Sequence, residues 1–145
     1  MSFYFFKPSY QTIVQGVLMY EESGYKYYKV PVADGTRMNL GVVTDTCEAH
    51  DMKAVCLYDS GCNRNSAGCR VTPLSKHCGE PMYGLSKKIC NGKTPRQCPS
   101  MDGMFSDHSS SYRSVACGTI SGKWCAPGKD FVSSEAKPLY AYCVM

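Results

Sequence analysis

Ten cysteines, running from Cys47 to Cys143, constrain this chain more than any other feature. They stand at Cys47, Cys56, Cys62, Cys69, Cys78, Cys90, Cys98, Cys117, Cys125 and Cys143, and no CxxC occurs. A structural zinc site wants ligands roughly two to four residues apart, because one short turn must aim two thiolates at a single ion. An even count without such knuckles reads as about five disulfides, no metal and an oxidising compartment. Ten cysteines can pair in on the order of a thousand ways, so spacing leaves the connectivity open.

A chain of 145 residues has the length of one domain and can bury roughly 70% of its unfolded surface, so it could fold without cross-links. Residues 1 to 20 are aromatic-rich and lack the basic start, apolar run and small-residue cleavage site of a secretory leader. They read as the start of a mature form or of an expressed fragment. No run approaches the ~20 apolar residues of a membrane span. Asn39, Asn63, Asn65 and Asn91 all fail the glycosylation pattern. The net charge of +4 is mild, and Lys87, Lys88, Lys93, Arg96 and Lys123 are scattered. A nucleic-acid footprint is denser, so nucleic acid is excluded as a partner and a solvated face is the plain reading.

Along the chain, Thr12 to Tyr20 has the β-branched and aromatic bias of a strand. Residues 21 to 24 read as a turn, and Tyr25 to Val32 as the returning strand, with Pro31 limiting its end. Asn39 can cap a helix whose Leu40, Val43 and Cys47 share one face, with Asp45 and Glu48 opposite. His50-Asp51 ends it before the short apolar stretch Ala54 to Tyr58. Residues 59 to 78 are rich in Gly, Ser, Asn and Cys and read as a pinned loop. A second helix is expected over Pro81 to Cys90, with Tyr83, Leu85 and Ile89 apolar, stopped at Asn91-Gly92. Lys93 to Ser100 is a loop, Met101 to Phe105 an apolar patch, and residues 106 to 114 polar and exposed. Leu139 to Cys143 alternates as a closing strand.

Candidate chemistry is sparse. His50, His77 and His108 lie far apart and share no metal-ligand spacing. His77 beside Cys78 is no nucleophile pair if that cysteine is oxidised. Asp107-His108 with neighbouring serines is a polar loop, because triad members come from separate elements. Asp59, Asn63 and Asn65 alternate as calcium ligands do, yet the position where such a loop needs its bidentate acid is Arg70. These readings imply a non-enzyme without cofactor or metal. Of the eleven tyrosines, those from Tyr25 to Tyr28 are accounted for by sheet packing. Phe3, Tyr4, Phe5, Phe6 and Tyr10 lie outside the cysteine framework, and such an apolar arm points to a partner chain or self-assembly.

Two stretches resemble the C-type lectin-like fold. Near the front these are Tyr25-Lys-Tyr-Tyr-Lys-Val and a helix carrying Cys47-Glu-Ala-His. Near the end they are Cys117-Gly-Thr-Ile-Ser-Gly-Lys-Trp124 and then Tyr142-Cys143. The resemblance implies pairing of Cys47 with Cys143 and of Cys117 with Cys125. It does not extend to the calcium and sugar site. Where that family has Trp-Asn-Asp, Trp124 is followed by Cys125 and Ala126, and the nearest string to its Glu-Pro-Asn loop, Glu80-Pro81-Met82, lies far upstream. The strings Cys78-Gly-Glu-Pro-Met and Met101-Asp-Gly-Met-Phe are similar to a cysteine-rich module of invertebrate extracellular proteins to which no activity is attached.

The expectation is therefore α+β: a small antiparallel sheet with one or two helices and long loops cross-linked by disulfides. Residues 1–24 are expected to form an aromatic arm or strand, and 25–145 a secreted or extracellular domain. Its expected role is recognition or adhesion, with a glycan or extracellular protein as ligand and Tyr112, Arg113, Lys123 and Trp124 as ligand-binding candidates. The competing reading is a structural subunit of an extracellular assembly docking through the arm.

Overall fold

The first hairpin forms where tyrosine-rich runs flank a Ser-Gly pair. Strand β1 (Val17–Glu22) pairs antiparallel with β2 (Tyr25–Pro31), with a register irregularity between Leu18 and Tyr20. The computed structural model describes residues 16–56, 69–76, 81–107 and 116–145, with backbone alone at 75–76, 81, 107, 116–117 and 123–127. Ser23 and Gly24 both have positive φ, at 54° and 83°. Such a pair matches the right-handed twist of the strands, so the turn closes in these two residues and Glu21 and Glu22 extend β1 instead of turning. The portion of the expected first strand before residue 16 lies outside the described residues.

Helix α1 (Leu40–Ala49) begins where Asn39 Oδ1 accepts the Val42 amide at 2.9 Å, and it buries Val43 and Cys47. It ends at His50, with Asp51 at φ 58°. The short strands β3 (Lys53–Val55) and β4 (Cys69–Arg70) run parallel to each other. Helix α2 (Pro81–Ile89) buries Met82, Leu85 and Ser86 and stops where Asn91 and Gly92 turn left-handed at φ 54° and 83°. Tyr83 and Ile89, expected on its apolar face, are only partly buried. Single 3-10 turns at Pro95–Gln97 and Pro99–Met101 lead into β5 (Met104–Asp107). A second hairpin, β6 (Ala116–Ile120) and β7 (Lys123–Pro127), turns on another Ser-Gly pair, Ser121 at φ 48° and Gly122 at 80°. The last strand is β8 (Tyr140–Val144).

These strands form one sheet in the order β1-β2-β8-β5-β6-β7, with β3 on β8 and β4 on β3. Strand β8 is its centre. One edge pairs antiparallel with β2, from Tyr27↔Val144 to Pro31↔Tyr140. The other is shared by β5, parallel at Met104↔Tyr140 and Phe105↔Ala141, and β3, antiparallel at Lys53↔Val144 and Ala54↔Cys143. The α+β class stands, but the sheet has eight strands and is mixed, not small and antiparallel. The cause is the insertion of β8 between β2 and β5: running against β2, it runs along β5.

Each face of the sheet carries one helix. Ala141 and Cys143 of β8 join Val30, Val43, Cys47, Met52 and Phe105 on the α1 side. Tyr142 and Val144 join Tyr27, Met82, Leu85, Met101 and Met104 on the α2 side. The period of two along β8 thus serves two cores, which is why four of its five residues are buried. The disulfide Cys47–Cys143 sews α1 to this strand, as the resemblance implied. Cys56–Cys69 ties the end of β3 to β4, and Cys90–Cys98 holds the loop after α2. Cys62 and Cys78, and the side chains of Cys117 and Cys125, lie outside the described residues.

Candidate functional site

Lys29 and Tyr140 are diagonal neighbours on the α2 side of the β2–β8 ladder. There the sheet ends in a cleft of about 390 Å3. Three segments complete its walls. These are Asp102 and Gly103 in the turn before β5, Ile120 and Ser121 at the tip of the β6–β7 hairpin, and residues 136–139 leading into β8. The volume lies near the lower end of the ~300–1,000 Å3 typical of ligand pockets.

Local structure holds each wall. The Gly103 amide donates to Thr119 O at 2.6 Å, and its carbonyl accepts from the Tyr140 amide at 2.8 Å. Gly103 has φ 81°, and a Cβ there would sit 2.7 Å from Pro138 O and 3.5 Å from the Tyr140 ring. Only glycine fits this turn without pressing into the wall. Asp102 Oδ1 accepts the Ser121 amide at 2.7 Å, tying the turn to the hairpin tip.

The Lys29 ammonium donates to Ser100 O at 2.9 Å and lies 4.7 Å from the centre of the Tyr140 ring. It is half-buried. Burial pulls its pKa down, and the nearby Asp102 carboxylate partly offsets that pull. Among the described residues Lys29 makes no ion pair, unlike Lys53 with Glu48 and Lys88 with Glu22. The cleft also presents the exposed Lys137. Two ammonium groups against one carboxylate, itself engaged with a backbone amide, leave a net positive and partly desolvated hollow. Such a place favours anions over neutral solutes, because charge is screened less there than in open water.

A larger hollow of about 500 Å3 lies between the end of α1 and the sheet, lined by Glu48, Asp51, Met52, Lys53, Arg70, Val144 and Met145. Its charges are mixed. Glu48 and Lys53 pair at 3.2 Å with both side chains exposed, a contact worth little. Arg70 stacks 5.5 Å from the Tyr25 ring centre.

Of the ligand-binding candidates named from sequence, the β6–β7 ladder sets Lys123 opposite Ile120 and Trp124 opposite Thr119, on the hairpin whose tip forms a cleft wall. Their side chains, together with Tyr112 and Arg113, lie outside the described residues. So do Phe3, Tyr4, Phe5, Phe6 and Tyr10, and the loop residues Asp59, Asn63, Asn65, His77 and His108. His50 Nδ1 is 2.9 Å from Thr46 O on its own helix. Among the described residues no group of three His, Cys, Asp or Glu could hold a metal, and no cysteine is free. Nor is any helix among them long and apolar enough to cross a membrane. The tyrosines of the first hairpin pack as sheet residues. Tyr27 and Tyr142 are fully buried with ring centres 6.1 Å apart, and Tyr20 stacks on Tyr27 at 6.2 Å. Asp102 and Gly103 lie in the string Met101-Asp-Gly-Met-Phe and Tyr140 in the closing strand, but nothing in the sequence brings them together with Lys29 and Lys137.

No protein-family model, curated protein or solved structure matches this chain.

Proposed function

We propose that this chain is a secreted, non-catalytic recognition module of C-type lectin-like architecture whose ligand is a glycan or an extracellular protein. The observation that carries the reading is the bond from Cys47 of α1 to Cys143 of the central strand. It stands in a sheet where the hairpin β1–β2 and the last strand β8 are direct neighbours. Covalent closure of a frame of this kind lowers the entropic cost of presenting a binding surface. Disulfides and an extracellular compartment go together on redox grounds. Catalysis by a cysteine nucleophile is disfavoured because the described cysteines are all oxidised and supply no thiolate. Calcium-dependent sugar binding is disfavoured because Cys125-Ala126 follow Trp124.

The test is a glycan array and an extracellular-protein array probed with the native chain, each with and without a chelator. Saturable hits that survive chelation support the reading. Turnover of an ester, peptide or glycoside by the purified chain contradicts it.

A second reading, a subunit of an extracellular assembly, draws on one observation. Among the described residues β1 is a terminal strand of the sheet, and its Val17 and Leu18, downstream of the aromatic segment Phe3 to Phe6, are about half exposed. An open strand edge beside apolar residues is a template for pairing between copies. Light scattering decides it: oligomers that dissociate when residues 1–15 are deleted favour assembly, and a monomer at all concentrations excludes it.

A further inference from the structure

We infer that the cleft between Lys29, Lys137 and Tyr140 is a binding site for an acidic saccharide, one bearing a carboxylate or sulfate group. The inference rests on the recognition reading above and names its ligand class and its site.

Charge and shape both favour such a ligand. Lys29 is anchored by the Ser100 carbonyl and the Tyr140 ring, both uncharged partners, at 2.9 Å and 4.7 Å. An ammonium has three donors, and neither partner neutralises it. Asp102 does not neutralise it by contact, and its Oδ1 is held by the Ser121 amide. A half-buried cation in this condition gains from an anion that brings its own charge into the hollow, because a charge-assisted hydrogen bond is about twice as strong as a neutral one. Lys137, exposed and also lining the cleft, supplies a second cation for a second acidic group or a longer chain.

The walls suit the rest of a sugar. Ser121 offers a polar side chain, while the partly buried Tyr140 and Ile120 offer apolar surface for ring C–H groups. Gly103 keeps the hollow open beside the Tyr140 ring, since a Cβ would close on Pro138 O at 2.7 Å. At about 390 Å3 the space fits a short oligosaccharide. The two sources of the shared chemistry, a uronic acid and a sulfate ester, are separated by experiment.

Calorimetric titration of the full chain with three probes tests the site: a galacturonic acid trisaccharide, a heparin-derived sulfated tetrasaccharide and neutral maltotriose. The expected result is binding of one or both acidic probes and none of maltotriose. Lys29→Gln should then weaken binding about tenfold or more, and Lys137→Gln roughly threefold. Lys26→Gln and Lys87→Gln, at exposed lysines lining neither hollow, should change nothing. Which acidic probe binds identifies the group recognised. If Lys29→Gln lowers the melting temperature, the exposed Lys137→Gln decides in its place. Equal losses at all four lysines would show diffuse charge attraction and overturn the site. Binding of maltotriose as tight as that of the acidic probes would overturn the anionic ligand. Neither outcome touches the recognition reading, which the glycan and protein arrays and the turnover assays test separately.

Discussion

Cys47 of α1 is bonded to Cys143 of β8 across 96 positions of sequence, and both residues are fully buried on the same face of the sheet. This bond closes about two-thirds of the 145-residue chain into one loop. Cys56–Cys69 and Cys90–Cys98 close separations of only 13 and 8.

The three bonds should therefore differ in what their removal costs. Loop-closure entropy assigns about 4.7 kcal/mol to the longest, about 3 kcal/mol to Cys56–Cys69 and about 2.5 kcal/mol to Cys90–Cys98. Paired Cys→Ala substitutions followed by guanidinium unfolding should reproduce this order. A larger loss at Cys90–Cys98 than at Cys47–Cys143 would contradict the central position of β8.

Gly118 faces Phe105 across the β5–β6 ladder. A Cβ at 118 would lie 2.5 Å from Met104 O and 2.6 Å from Phe105 Cγ. Gly118→Ala must push the strands apart or displace the buried Phe105 ring, so it should cost about 3 kcal/mol. Thermal unfolding of the variant checks it, and an unchanged melting temperature would show that β6 does not pack on β5 as described.

The Tyr142 phenol is held well above its usual range, first by burial and then by neighbouring Tyr27. Burial also raises Tyr27, against the opposing pull of Thr72 and the Leu74 amide. A phenol whose value is raised by folding binds its proton more tightly in the folded chain. Its stabilising contribution is complete below the unfolded value, about pH 10, and is lost as pH rises from there through the raised value. Absorbance at 295 nm and far-ultraviolet circular dichroism, followed together from pH 8 to 12, should show these two tyrosines ionising only as the sheet is lost. Ionisation of all eleven tyrosines near pH 10, with the sheet intact, would contradict this.

Asn39 accepts the Val42 amide at the start of α1, and no other described side chain caps that end. Asn39→Ala should cost about 1 kcal/mol in unfolding free energy, and Asn39→Asp little. Equal losses in both variants would rule out the cap.

What the sequence reveals follows from how local each signal is. Helix α1 is legible because its cap and its Leu40, Val43, Cys47 stripe lie within a few residues of one another. The hairpin β1–β2 is legible for the same reason, and the Ser-Gly pairs at 23–24 and 121–122 are the signal that marks both two-residue turns. Strand β5 is different. Met104 and Phe105 have no alternating pattern, and they become a strand because β8, from the far end of the chain, lies parallel beside them. The mixed sheet and the cleft share this origin. Lys29 and Tyr140 meet only because β8 returns between β2 and β5, a long-range event that leaves no local mark at either residue.

The account depends on an oxidised frame, and alkylation of the natively purified chain without reduction, followed by non-reducing peptide mapping, tests it most directly. The account predicts a cross-linked peptide joining Cys47 to Cys143 and no alkyl group on Cys47, Cys56, Cys69, Cys90, Cys98 or Cys143. Alkylation of Cys47 and Cys143, with the chain still folded, would contradict the covalent closure of the sheet and the extracellular role built on it.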